Sequence, residues 1–351
     1  MNNDMLNLYS DYLLSSFGQT TATGLSALVE GAVSHDQVTR FLSNEGFDSR
    51  QLWRLVKPTV RRIQSPQALV IFDDTIAEKK WTDSNDIIAW HFDHTQGKAI
   101  KGLNILSCIY HAGDLDIPVA FDIVRKPVVS CDIATRKESR KSLLTKNEMM
   151  RAMLKVCRHN DVPFAYVLAD SWYASKDNMG FIKADMEKDF VMAVKSNRKV
   201  ALSVSDKVNG QLIRIDSLGL DQGVVKKVWF EGLSFPVVVA RQVFTNKDGS
   251  HGELYLVSSD IELDWDGLTA LYQKRWKVEE YHKRLKSAAA LTKSPTRVER
   301  TQTAHVFMSI YSSFRLEWLK VKHAMNPFAL RGKIYLAAIK ASFTELQNLC
   351  A

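Results

Sequence analysis

The sequence predicts an α/β fold with a mostly β stretch set between two α/β parts, helices leading in and helices closing the chain. Three observations predict it. Two aliphatic runs, "QALVIFDDT" at 67–75 and "FAYVLADSWY" at 164–173, read as buried strands that each end in aspartate. Residues 200–260 alternate apolar runs with turn signals such as "NKDGS" at 246–250, the grammar of antiparallel sheet. The segment "LYQKRWKVEEYHKRLKSAAAL" at 271–291 has the period of one amphipathic helix.

Taken in order, residues 1–62 read as a unit of short helices. Leu25, Leu28 and Val29 are followed by Gly31, then by Ser34 as an N-cap, then by Val38, Phe41 and Leu42 at helical spacing. Helix, glycine turn, helix is helix-turn-helix grammar, and His35, Gln37 and Arg40 on the second helix would reach base edges or phosphates. A small helical bundle with no DNA role fits this stretch equally well. Residues 63–199 form the first α/β part. Its strand at 67–75 is followed by "GLNILSCIYHAG" (102–113) and "IPVAFDIVRK" (117–126), two strands joined through a hairpin-like connection. A helix over 141–160 would turn Leu143, Leu144, Met150, Leu154 and Val156 inward. The strand at 164–173, a short helix at 175–188 and the strand "DFVMAVKSNRK" (189–199) complete this part. Residues 200–262 are the β-rich insertion. Residues 263–351 hold the amphipathic helix and two more, the last opened by "NPF" with Pro327 suited to a first helical turn.

The 351 residues are 46% hydrophobic and 25% charged, which is globular composition, and no run of eighteen apolar residues would span a membrane. The opening segment carries Asp4 and lacks the basic region of a signal peptide, so a cytoplasmic protein is expected. Cys108, Cys131, Cys157 and Cys350 have neither metal-ligand nor disulfide-framework spacing, and reduced thiols are the simplest account. A net charge of +8, with basic groups at 61–63 and 195–199, is compatible with a nucleic-acid partner.

The chemistry gathers on the helix at 271–291. With Tyr272 at zero, Arg275 falls near about 300°, Glu279 about 340°, Lys283 about 20° and Lys286 about 320°. All five share one stripe, while Leu271, Val278, Tyr281, Leu285 and Ala288 fall opposite as a core face. Taken alone, the stripe reads as a solvated ladder supported by a Glu279–Lys283 pair. Its meaning changes beside the two strand-end acids, Asp73 or Asp74 and Asp170. Ligands of open α/β sheets gather beyond the carboxyl ends of strands. Carboxylates converging there repel one another unless a cation joins them, and hard oxygen donors suit Mg²⁺. Two such ions serve phosphodiester transfer, and the cations flanking Glu279 would hold neighbouring phosphates.

"YQKRWKVEEYHKRLK" reads as Y-x2-R-x3-E-x6-K. With "DDT" at 73–75 and "ADSWY" at 169–173, the chain resembles the DDE transposases of bacterial insertion sequences, in the family usually numbered four, over residues 65 to 290. The resemblance implies an RNase H-like core interrupted by a β insertion. It implies that Asp73, Asp170 and Glu279 hold two Mg²⁺ or Mn²⁺ ions, Asp73 being chosen over Asp74 by the family's D-x-T pattern. It further implies that Tyr272, Arg275 and Lys286, with Lys283 on the same face, grip the phosphates of a transposon end. The implied partners are duplex DNA with terminal inverted repeats and target DNA, bound by a homodimer in the synaptic complex. The implied reaction is cut-and-paste transposition through a hairpin, with a base flipped onto an aromatic such as Trp229 or Tyr255. Only 61 of the 351 residues follow 290, so synapsis is expected to rely mainly on contacts through DNA. The rival readings are an RNase H-like structure-specific nuclease and a DNA-binding regulator or decayed transposase without catalysis.

Overall fold

The computed structural model of the chain describes residues 3–350 apart from 45, 94, 95, 134, 135, 137, 246 and 247, so the predicted turn at 246–250 lies partly outside the described residues. Four helices come first: α1 (Asn3–Ser15), α2 (Ala22–Leu28), α3 (His35–Leu42) and α4 (Ser49–Ile63). The α/β part follows with β1 (Leu69–Glu78), β2 (Ala89–Asp93), β3 (Lys98–Ala112), β4 (Leu115–Ile123), β5 (Val128–Cys131), β6 (Glu138–Lys141), α5 (Lys146–His159), β7 (Tyr166–Ala169), α6 (Lys176–Gly180) and β8 (Asp189–Val194). Next come β9 (Lys199–Ala201), α7 (Val204–Val208), β10 (Ile213–Arg214), β11 (Val225–Phe230), β12 (Val237–Thr245) and β13 (His251–Ser258). The chain closes with α8 (Trp265–Lys274), α9 (Trp276–Ser287), α10 (Glu299–His323) and α11 (Pro327–Cys350).

One mixed sheet organises the molecule. Its order is β10-β9-β11-β12-β13-β8-β7-β1-β3-β2, with β4 also paired to β3. The β1, β7 and β8 strands run parallel, while β1 with β3 and β3 with β4 are antiparallel. This mixed α/β architecture is consistent with the RNase H-like core that the resemblance implies. The β-rich stretch does not form a sheet of its own. Its last strand, β13, pairs with β8, so 199–258 prolongs the same sheet beyond the core edge. Pairing there satisfies the backbone groups that an open β8 edge would leave exposed.

Several local expectations hold for the predicted reason. Ser34 caps α3 through the Gln37 N–H, and the Gln37 side chain returns a bond to the Ser34 N–H. Gln37 is thereby committed to the cap and is not a spare base-reading amide. Gly113 turns the β3–β4 hairpin at φ +58°, a conformation that favours glycine. Three expectations are corrected. The β1 strand does not stop at its aspartates but continues to Glu78, because β3 pairs with it along its whole length. The helix predicted from 141 starts at Lys146, where Thr145 and Glu148 make a capping box. Leu143 and Leu144 therefore stay outside the helix and exposed, and the inward stripe is Met149, Met150, Met153, Leu154 and Cys157. The helix predicted as continuous over 271–291 breaks at Arg275 and ends at Ser287. At the break, the Arg275 N–H bonds the Tyr272 carbonyl and the Val278 N–H bonds the Arg275 carbonyl, a tightened turn.

The hydrophobic core runs without a gap from the N-terminal helices into the sheet. Leu6, Tyr9, Leu13, Leu25, Val38, Leu52 and Val56 belong to the same cluster as Phe72, Ile105 and Phe307. Tyr9 meets His305 of α10 at 3.3 Å, and the Ser312 hydroxyl donates to Ser10 at 2.9 Å. Each of those apolar side chains contributes about 1.5–3 kcal/mol by burial. Removing residues 1–62 is therefore expected to unfold the chain, shown as loss of the cooperative melt, and the role of α3 has to be tested by point substitution.

The basic cluster at 61–63 has structural work. Arg61 donates to the carbonyls of Asn160 and Asp161 just past α5, each at 2.7 Å, and Arg62 stacks on Trp318. By contrast, α11 leaves Tyr335, Leu336, Ile339, Phe343, Leu346 and Leu349 exposed. Cys108, Cys131 and Cys157 are free thiols, and among the described residues no helix is long and apolar enough to cross a membrane.

Candidate active site

Three elements bring carboxylates to one cavity of about 940 Å³. Asp73 comes from the middle of β1, Asp170 from the residue after β7, and Glu279 from the first turn of α9. The parallel β1–β7 register ends at Ile71 and Leu168, so both acids lie just past the point where these strands part. Lys146, Lys195, Lys283 and Lys286 line the same cavity.

Asp73 and Asp74 both line the cavity, and their partners sort them. Asp74 is consumed by structure: it accepts from Lys146 Nζ at 2.5 Å, the Tyr173 hydroxyl at 2.6 Å and Asn104 Nδ2 at 2.8 Å. The Lys146 ammonium and these bonds outweigh burial and hold its carboxyl below the ordinary carboxylate range. Asp73 turns instead toward α9. Burial, then the charges of Asp170, Asp74 and Glu279, push it up to about 8, against the opposing pull of Arg275.

Asp73, Glu279 and His282 form the tightest group, with one ligand-type atom from each lying within 4.8 Å of the others. Asp170 stands outside this group but close enough to repel Asp73. One of its oxygens accepts from the Trp172 N–H at 2.9 Å, and burial raises its pKa. The donor set suits a divalent cation: the charges of Asp170 and Glu279 help to raise the Asp73 carboxyl, and among the described residues the buried His282 Nε2 has no hydrogen-bond partner.

The other predicted residues divide. Arg275 does not point outward. Its Nη1 lies 3.8 Å from Asp73 and 3.6 Å from Glu279, so the guanidinium is the counter-ion between two acids. Tyr272 is partly buried beneath it, 5.5 Å from ring centroid to guanidinium carbon. Among the described residues Glu279 pairs back to Arg275 and makes no ion pair with Lys283, so the simple surface ladder is not what forms. Lys283 and Lys286 are exposed at the cavity, Lys283 with its ammonium over Phe328. The predicted core face of Val278, Tyr281, Leu285 and Ala288 is buried, with Leu271 partly so. His35 and Arg40 are exposed on α3, away from the cavity lining, with His35 paired to Asp36 at 3.1 Å.

Sequence reasoning passed over two groups. His282 and Arg284 lie within the charged run yet are buried. The i,i+3 spacing of Glu279 and His282 was the available signal. Burial pushes the His282 imidazole down to about 3, keeping it neutral. Of the candidate aromatics, Tyr255 is buried in the sheet, while Phe92 and Trp172 are exposed aromatics on the cavity wall, Trp172 with the Lys146 ammonium 4.8 Å from its ring.

Strands β1 and β7 and helix α9 deliver Asp73, Asp170 and Glu279 to one cation-rimmed cavity, an arrangement suited to phosphodiester chemistry. The profile of the DDE superfamily endonucleases matches residues 2–209, more than half of the chain, and the chain belongs to that family. The match takes in Asp73 and Asp170 and ends before Glu279. Membership implies metal-dependent phosphodiester cleavage. No curated protein matches the chain.

The raised Asp73 pKa has a consequence for stability. A carboxyl raised from 3.8 to about 8 on folding stabilises fully below the unfolded value, and that contribution is lost as pH rises toward 8. Each pH unit in this window costs the metal-free protein at most ~1.4 kcal/mol from this group. Asp73→Asn is therefore expected to raise the metal-free melting temperature by a few degrees at pH 8 and to leave it nearly unchanged at pH 4. Melts at the two pH values decide it, and an equal shift at both would remove the like-charge explanation.

Proposed function

We propose that the protein is a cut-and-paste DNA transposase acting on inverted-repeat ends, of the insertion-sequence family usually numbered four. The observation that carries this reading is the convergence of Asp73, Asp170 and Glu279 on one lysine-rimmed cavity. Asp73, Asp170 and Glu279 would hold two Mg²⁺ or Mn²⁺ ions, which supply activation of an attacking oxygen and stabilisation of the leaving one. Lys283 and Lys286 hold the phosphates flanking the scissile one, and Lys195 extends the basic track along the cavity. Trp172, 48% exposed beside Asp170, offers a stacking face to a base unpaired from the duplex end. Arg40 and His35 on α3 are the proposed end-reading residues, and the active unit is a homodimer on paired ends.

Nicking followed by attack of the freed 3′-OH on the opposite strand gives a hairpin, which separates this reading from a structure-specific nuclease on the same acids. The test sequences the DNA flanking the gene, where terminal inverted repeats are expected, and incubates a duplex carrying them with the protein and Mg²⁺ for resolution on a denaturing gel. End-specific hairpins are expected. Cleavage of branched DNA without end preference supports the nuclease instead, and end binding without any cleavage supports the regulator.

The phosphate track has its own measurement. Lys283→Ala and Lys286→Ala are each expected to weaken end binding and to reduce its salt slope by about one counterion. Arg40→Ala should lower discrimination between end and random duplex. Unchanged slopes in both lysine variants would sever the track from DNA. Arg275→Ala is less clean, because it also removes the counter-ion between Asp73 and Glu279.

A further inference from the structure

We infer that His282 is a direct nitrogen ligand to the ion held by Asp73 and Glu279, making this one position a mixed nitrogen and oxygen site selective for Mn²⁺ over Mg²⁺. The inference rests on the reading of Asp73 and Glu279 as metal ligands and adds a residue to it.

Three independent features carry it. Glu279 and His282 are three apart on α9, so they project from the same helix face. The Glu-x-x-His spacing is how helices present one oxygen and one nitrogen donor to a shared ion. Second, a donor atom of His282 lies with those of Asp73 and Glu279 inside one 4.8 Å group, which Asp170 does not join. Third, His282 is only 4% exposed, and its Nε2 is buried with no hydrogen-bond partner among the described residues. A buried polar atom left unpaired is destabilising. A cation between the two acids would satisfy that nitrogen and replace the guanidinium of Arg275 as the source of positive charge.

The donor types then distinguish two ion positions. Mg²⁺ takes oxygen donors and keeps its waters, whereas Mn²⁺, equally at home with carboxylates, opens the transition series whose affinity for mixed nitrogen and oxygen sites rises toward Cu²⁺ and accepts an imidazole more readily. The position between Asp73 and Asp170 has carboxylate donors from the protein. The position shared by Asp73, Glu279 and His282 adds an imidazole. Mn²⁺ should therefore bind the second position more tightly than Mg²⁺ does.

The experiment uses the full chain with MnCl₂ and no DNA. Pulsed electron paramagnetic resonance reads nitrogen coupled to bound Mn²⁺, and titration calorimetry reads affinity for Mn²⁺ and Mg²⁺. Wild type is expected to show a directly coordinated imidazole nitrogen. His282→Gln should lose that coupling and bind Mn²⁺ at least ~10-fold more weakly, while Mg²⁺ affinity moves much less. Asp73→Asn should lose the bound Mn²⁺ itself. Mn²⁺ bound in an Asp73-dependent way but without nitrogen coupling overturns the assignment of His282 and leaves the acid site standing. Binding indifferent to both Asp73→Asn and Glu279→Gln overturns the acid site and the inference together. Should His282→Gln fail to fold, His282→Asn takes its place, and a coupling that survives substitution overturns the inference. A wild-type spectrum without nitrogen does so with no variant needed.

Discussion

Asp170→Asn is expected to abolish strand cleavage while leaving DNA-end affinity within a few-fold of wild type. The substitution preserves shape, so the amide oxygen can still accept the Trp172 N–H that Asp170 holds at 2.9 Å. What it removes is a buried negative charge facing Asp73. Losing several kcal/mol of charge stabilisation at the reacting phosphate costs roughly a thousandfold or more, at ~1.4 kcal/mol per decade. Affinity for DNA comes mainly from phosphate contacts with cations, which this change leaves in place. Glu279→Gln should behave alike, with no loss of salt slope. Single-turnover cleavage and filter binding with the same labelled end separate the two effects. Cleavage at the wild-type rate in either variant would remove that acid from the mechanism. The neighbouring Asp74→Asn predicts a different failure, because Asp74 anchors Lys146, Tyr173 and Asn104. It should melt at a lower temperature, with any loss of activity following that loss of stability.

Glu317→Gln is expected to cost about 3–5 kcal/mol of folding stability, the second large effect. Arg284 on α9 and Glu317 on α10 form an ion pair at 2.7 Å with side chains 5% and 1% exposed. Arg284 also donates to the Ser313 hydroxyl at 3.0 Å and lies over the Tyr281 ring. Removing the carboxylate charge leaves a guanidinium buried without the counter-charge it pairs with, while Lys320, which also pairs with Glu317, keeps its positive charge. The expensive step is isolating one charge, so replacing both partners by apolar residues (Arg284→Met with Glu317→Leu) should recover most of the loss. Denaturant melts of the single and double variants test this. A single variant within about 1 kcal/mol of wild type would show that water reaches the pair. This pair ties α9 to α10 five residues beyond Glu279, so its loss should also loosen the acid site.

Much of the fold was legible because its causes are local. Aliphatic runs predicted β1, β7 and β8, and Ser34 announced a helix start through a side-chain bond spanning three residues. The Val278, Tyr281, Leu285 stripe predicted the buried face of α9, since helical spacing alone brings those residues to one side. The acids were legible as candidates because an aspartate following an aliphatic run and a glutamate within a helical stripe are themselves local patterns, although β1 runs on past Asp73.

What remained undecided locally was the partner of each charged or polar residue. Asp73 and Asp74 are adjacent and chemically alike; Lys146 and Tyr173, brought by α5 and the segment after β7, claim Asp74 and leave Asp73 to α9. Arg61 and Arg62 looked like part of a nucleic-acid patch until α5 and Trp318 claimed them. His282 and Arg284 sit in a run that reads as solvated, and only α10 and the sheet packed against α9 bury them. The break at Arg275 likewise accompanies a guanidinium drawn inward between Asp73 and Glu279. Periodicity acts over three or four residues and is written in the sequence itself. Pairing of charges acts across the sequence separation of 206 from Asp73 to Glu279, and it exists only once the sheet and helices have brought them together.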